Sequence, residues 1–172
     1  MKLTILSIAL LGSLMACAKP VTPPDPPLVA QGKPNDDLYP SPVREIEIDH
    51  RGCFGSCPVY RVRITNAGEF EYEGKRFVRK AGLVTAAMYP ADVTPLFAWL
   101  RDHPSLYSKS TTNRRGVDTE NVIYRFLLKN GDSVVVETDL DFAGDDLWAL
   151  SNIADGMAVR ALMRSKDPKN PA

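Results

Sequence analysis

Tyr60-Arg-Val-Arg-Ile-Thr-Asn-Ala-Gly-Glu-Phe-Glu-Tyr-Glu73 is the stretch from which the fold follows. Tyr60, Val62 and Ile64 alternate with Arg61, Arg63 and Thr65, and Phe70 and Tyr72 alternate with Glu69, Glu71 and Glu73. A period of two marks strands buried on one face. Asn66-Ala67-Gly68 supplies the short turn between them, because glycine tolerates a positive φ, so the two runs are expected to pair as an antiparallel hairpin. On its outer face Arg61 and Arg63 are expected to meet the row Glu69, Glu71 and Glu73. Such cross-strand pairs contribute only a few tenths of a kcal/mol each.

Upstream, Ile46 and Ile48 alternate with Glu45, Glu47 and Asp49, which adds a strand; downstream of Gly74 a further strand is expected from Phe77 to about Ala86. After Tyr89-Pro90, the residues Val93, Leu96, Phe97 and Leu100 fall on one helical face that ends before Pro104. Pro95 complicates its start, and a first turn around 90–94 followed by a better-formed helix is expected. Residues 108–120 have no apolar periodicity and read as a long polar loop. Alternation resumes at Val122, Tyr124, Phe126 and Leu128, then Asn130-Gly131 gives a type I′ hairpin signal before Val134-Val135-Val136. Asp145 and Asp146 open a second amphipathic helix carrying Leu147, Leu150, Ala154, Met157 and Ala161. The expected fold is α+β: a single, mainly antiparallel sheet of about six strands with two helices on one face, in the order β-β-β-β-α-β-β-α.

The ends of the chain differ from this middle. Residues 1–16 carry Lys2 and then an apolar run ending in small residues, the pattern of an export signal, and the run is shorter than the roughly 20 residues of a membrane span. Leu14-Met15-Ala16-Cys17 resembles the lipobox of bacterial lipoproteins. That resemblance implies cleavage before Cys17, acylation of its sulfur and a stable multi-chain membrane anchor. Ala18, rather than Asp, after the cysteine implies the outer membrane, facing the periplasm, more than the inner one. Residues 17–42 hold Pro20, Pro23, Pro24, Pro26, Pro27, Pro34, Pro40 and Pro42 of the chain's 14 prolines, a linker composition whose alternatives are an extended spacer and simple disorder. The folded domain is expected over 43–165, followed by a polar tail, 166–172.

The full chain of 172 residues carries 21 basic and 21 acidic residues, so it has no long-range field to gather nucleic acid or anionic lipid, and no nucleic-acid partner is expected. With 3 cysteines and 2 histidines, neither a zinc site nor a cofactor is expected. Cys53-Phe-Gly-Ser-Cys57 holds the two cysteines left after lipidation. In an oxidising compartment they are expected to form a disulfide that fixes the bend between the first two strands; a redox-active pair is the alternative.

Cys53-Phe-Gly-Ser-Cys57-Pro-Val-Tyr60 resembles the Cys-x-Gly-x-Cys-Pro-x-Tyr signature of a bacterial family of uncharacterised, lipoprotein-borne domains. The likeness extends to the strand before Cys53, Gly68-Glu-Phe-Glu-Tyr-Glu-Gly74, the helix near 90–103 and Asp118. It implies a shared fold and assigns no activity.

Catalytic patterns are incomplete. His50 near Cys53 suggests a nucleophilic pair, but a bonded Cys53 cannot attack. Ser56 lacks the second glycine of a nucleophile elbow. Asp139-x-Asp141-x-x-Gly-Asp145 resembles the opening of a calcium loop, yet Ala143 and Leu150 stand where oxygen ligands are needed, so the stretch is read as capping the last helix. Arg114, Arg115, Asp118 and Glu120 in the 108–120 loop are the candidate partner-binding residues. The expected function is a membrane-tethered, non-enzymatic binding module whose partner is another envelope protein or a cell-wall glycan. The alternatives are a hydrolase or hydrolase inhibitor, with the 108–120 loop converging on Asp139 or Asp141, and a structural envelope protein.

Overall fold

A computed structural model describes residues 40–113 and 118–165. Cys17, the leader, most of the linker, Arg114, Arg115 and the tail lie outside the described residues. Seven strands, β1 (Val43–His50), β2 (Val59–Thr65), β3 (Glu69–Arg76), β4 (Gly82–Ala87), β5 (Thr111–Asn113), β6 (Asn121–Leu128) and β7 (Ser133–Asp139), form one sheet in the order β4-β3-β2-β1-β6-β7-β5. Helix α1 (Pro90–Asp102) and a 3-10 turn (Pro104–Tyr107) lie between β4 and β5; a second 3-10 turn (Leu140–Phe142) and helix α2 (Gly144–Arg164) follow β7.

The hairpin of β2 and β3 pairs Ile64 with Phe70 and Val62 with Tyr72. Gly68, at φ 87°, is required there: a Cβ at this position would come within 2.8 Å of the Met88 carbonyl oxygen, whose residue donates its N–H back to the Gly68 carbonyl. Register carries the pattern across the sheet. Phe70, Ile64, Ile46, Phe126 and Val134 form one row and Tyr72, Val62, Ile48, Tyr124 and Val136 the next, all on one face. Both helices contribute to the core on that face, α1 through Val93, Leu96, Phe97 and Leu100, and α2 through Leu147, Leu150, Ala154, Met157, Ala158 and Ala161.

The other face is charged. Glu71, Arg63, Glu47 and Arg125 lie side by side on successive strands, so signs alternate across the sheet. Arg61 reaches Glu71 at 2.8 Å, Glu73 at 3.4 Å and Glu47 at 3.5 Å, as the hairpin suggested, whereas Arg63 turns the other way to Glu45 at 2.7 Å. Arg125 pairs with Glu47.

The α+β class holds, and the sheet is larger and more mixed than the sequence implies. Residues 108–120 are not only loop: Thr111–Asn113 pairs in parallel with Val136–Thr138 of β7. These three side chains face solvent or are half-buried, so the strand joins the sheet through its backbone ladder and no apolar alternation marks it. β4 starts at Gly82 rather than Phe77, because Phe77 adopts φ 54° and breaks the extended run after Arg76. Helix α1 runs unbroken from Pro90 through Pro95. Neither Asp139 nor Asp141 caps α2; the 3-10 turn intervenes, Ala143 takes the cap position without a side-chain bond, and Asp145 and Asp146 supply charge in the first turn.

Tyr124, fully buried on β6, ties α2 to the sheet: its hydroxyl donates to the Leu147 carbonyl at 3.2 Å and lies 2.7 Å from Ser151 Oγ. Burial pushes its phenol up to about 12 from the ordinary 10. The unfolded chain therefore loses this proton first, so the stability is whole below pH 10 and drains away as pH rises to about 12. Tyr124→Phe, which strands the Ser151 hydroxyl, is expected to lower unfolding free energy by about 1 to 2 kcal/mol in urea titrations at pH 7 and to flatten the loss between pH 10 and 12.

Candidate functional site

Four connections emerge at one end of the sheet: 51–58 after β1, 77–81 after β3, 118–120 before β6 and 140–143 after β7. Behind them the inward row ends in polar residues. His50 follows Ile46 and Ile48 in phase and pairs with Tyr60 on β2 and Val122 on β6. It is only 3% exposed. Its Nδ1–H donates to Glu120 Oε1 at 2.5 Å, and its ring stacks on Tyr60 with centroids 4.3 Å apart. The Tyr60 hydroxyl donates to Asp155 Oδ1 of α2 at 2.6 Å. Burial first, then the Asp155 charge, raises the Tyr60 phenol far above its ordinary value, so it stays a donor. The four side chains link β1, β2, α2 and the segment entering β6. His50 Nε2 is closed off from solvent and has no hydrogen-bond partner among the described residues, which makes the quartet a brace rather than a substrate-facing base.

The brace holds the base of a small ring. Cys53 and Cys57 are bonded, with Cα atoms 5.6 Å apart. The root is an extension of the β1–β6 ladder, in which Arg51 N–H donates to the Asn121 carbonyl and Asn121 N–H to the Gly52 carbonyl. Gly52 has φ 87°, and a Cβ there would lie 2.8 Å from Val59 Cγ2 and 4.0 Å from Arg76 Nη2, so only glycine fits and the ring abuts the end of β3. Phe54, at the ring's tip, is 86% exposed. Gly55 N–H donates to Cys53 Sγ and tightens the ring further.

Of the expected partner-binding residues, Glu120 is spent on His50, Asp118 is exposed, and Arg114 and Arg115 lie outside the described residues. A cleft of about 470 Å³ does form beside residues 108–111, where Ser105, Ser108, Lys109 and Thr111 face Asp145 and Asp146. Asp139 and Asp141 do not line it; Asp139 is buried in the sheet and Asp141 sits exposed on the 3-10 turn. Acidic residues 139, 141, 145 and 146 flank this end on the β7 side, and basic residues 75, 76, 79 and 80 flank it on the β3 side. Among the described residues no three His, Cys, Asp or Glu side chains gather as a metal site would need, and no helix is long and apolar enough to cross a membrane.

Sequence reading missed the brace because its pairs are 70 and 95 residues apart. The available signal was His50 itself, a polar side chain in the inward phase of β1. Removing the disulfide, with Cys53→Ser and Cys57→Ser together, is expected to cost about 2 kcal/mol for so short a loop. Glu120→Ala, which takes from the buried His50 ring the carboxylate that accepts its Nδ1–H, is expected to cost about 1 to 3 kcal/mol. Urea titration of each variant checks both values.

No curated protein matches the chain. Residues 44–158 match a family described as a domain of unknown function, DUF6438. The match opens one residue into β1 and closes within α2, so it takes in all seven strands, both halves of the brace, the disulfide ring and the basic connection. On that span the chain belongs to the DUF6438 family.

Proposed function

We propose that the protein is an envelope lipoprotein, acylated at Cys17 and joined by the proline-rich 17–42 segment to a domain that works as a non-enzymatic interaction module. Ala18 after the cysteine favours the periplasmic face of an outer membrane. Phe54 carries the reading: a large apolar side chain almost wholly in water, at the tip of a ring closed by Cys53 and Cys57. Leaving such a ring exposed forgoes about 2 kcal/mol of burial, which docking recovers. A tip already held by a disulfide and by the Gly52 turn loses little conformational freedom on binding, so more of that gain appears as affinity. The part-buried His50–Glu120 and Tyr60–Asp155 pairs stiffen the base of the ring and turn their polar atoms inward.

The contact is testable in cells producing the full chain with a photoreactive residue at position 54, or at Ser133 on the opposite end of the sheet. Adducts to an envelope component are expected from position 54 and not from position 133. Equal yields from the two positions would remove the ring from the contact. Mass spectrometry of the purified protein is expected to show acylated Cys17, and an unmodified, uncleaved chain would sink the anchor.

A further inference from the structure

Zero net charge conceals a concentration of cations. Lys75-Arg-Phe-Val-Arg-Lys80, which closes β3 and leads to β4, has four basic residues in six, and the acidic residues 139, 141, 145 and 146 stand on the far flank of the sheet. Lys75 is shared with Glu73 at 3.6 Å. Arg76 places its guanidinium 5.8 Å from the centroid of the Phe77 ring and beside Gly52, which joins this connection to the disulfide ring. Phe77 is 58% exposed and takes φ 54°, a left-handed conformation unfavourable to any residue with a Cβ. The strain is held where it turns an aromatic ring into solvent next to cations. Two adjoining connections thus present two exposed phenylalanines, Phe54 and Phe77, among basic side chains.

We propose that this end of the sheet seats on an anionic phospholipid bilayer, with the basic residues of 75–80 against phosphate headgroups and Phe54 and Phe77 in the headgroup region. The proposal rests on the interaction-module reading and names its partner. A bilayer interface is the surface that accepts both features at once, attracting cations through its surface charge and apolar rings through its acyl boundary. Nucleic acid matches them less well, because its backbone calls for a longer basic stripe than the four basic residues of 75–80.

Vesicle co-sedimentation of the full chain carrying Cys17→Ser, which removes the acyl anchor, tests the proposal. Any contribution from residues 1–16 is common to all variants. Binding to vesicles containing phosphatidylglycerol is expected to exceed binding to phosphatidylcholine vesicles by about tenfold and to collapse in high salt. Arg79→Glu is expected to reduce it by about tenfold and Arg79→Lys to preserve it. Phe77→Gly removes the ring and relieves the backbone, so binding is expected to fall about fivefold while the melting temperature does not drop. Phe54→Ser is expected to weaken binding similarly. Equal binding to both vesicle types, or indifference to Arg79→Glu and to loss of both rings, overturns the proposal. Binding to an oligonucleotide or an acidic peptide with no binding to vesicles overturns it too. If vesicles fail while position 54 still yields a protein or glycan adduct, the membrane assignment falls and the interaction module stands.

Discussion

A seven-stranded sheet with only one apolar face has to be covered from one side, and nearly everything else in the molecule answers that requirement. Its two edges, β4 and β5, are separated by six strand spacings, about 29 Å. The chain makes this crossing through α1, about 20 Å long for its 13 residues, and the 3-10 turn that follows. The cover therefore also serves as the connection. α2 completes it, anchored by the Tyr124 hydroxyl and tied to the start of α1 where Asp92 accepts from Arg164 at 2.6 Å. The outer face needs no cover because alternating Glu and Arg side chains satisfy one another across the strands while remaining in reach of water.

The same cover explains why the functional end is stiff. An apolar row that reaches the rim of a sheet must either stop or bury something polar. Here it buries His50 and half-buries Tyr60, and loss of water obliges each to find a partner. Those partners come from α2 and from the segment entering β6, so satisfying two side chains fastens two distant stretches behind the disulfide ring. Loop precision at this end comes from the sheet's rim as much as from the disulfide.

The central hairpin, both helices and the hairpin at Asn130-Gly131 are legible because each is written in residues close together in sequence, although only Gly131 of that pair takes a positive φ, so the turn is not the type I′ that Asn-Gly suggests. Period two in Tyr60–Ile64 and the four-residue recurrence of Leu96 and Leu100 need no distant partner to be read. Thr111–Asn113 is opaque for the opposite reason: a three-residue edge strand paired through its backbone, with no buried side chain, leaves no apolar alternation to read. Phe77 reads as the start of a strand because an aromatic followed by a β-branched residue says nothing about the sign of φ. Glu120 reads in the sequence as a residue for an outside partner because the histidine that takes it lies 70 positions earlier. Residue 50 showed its polar character and hid its neighbour.

The charges at the two flanks of this end have a mechanical consequence. β3 and β7 lie four spacings apart, about 19 Å, which exceeds the screening length of roughly 8 Å at physiological salt, so the cations of 75–80 and the aspartates of 139–146 do not cancel locally. A neutral body with its charge divided in this way feels a torque in a field gradient before it feels a net pull. Near any charged surface the domain is turned first and attracted second, and it arrives with a defined side leading.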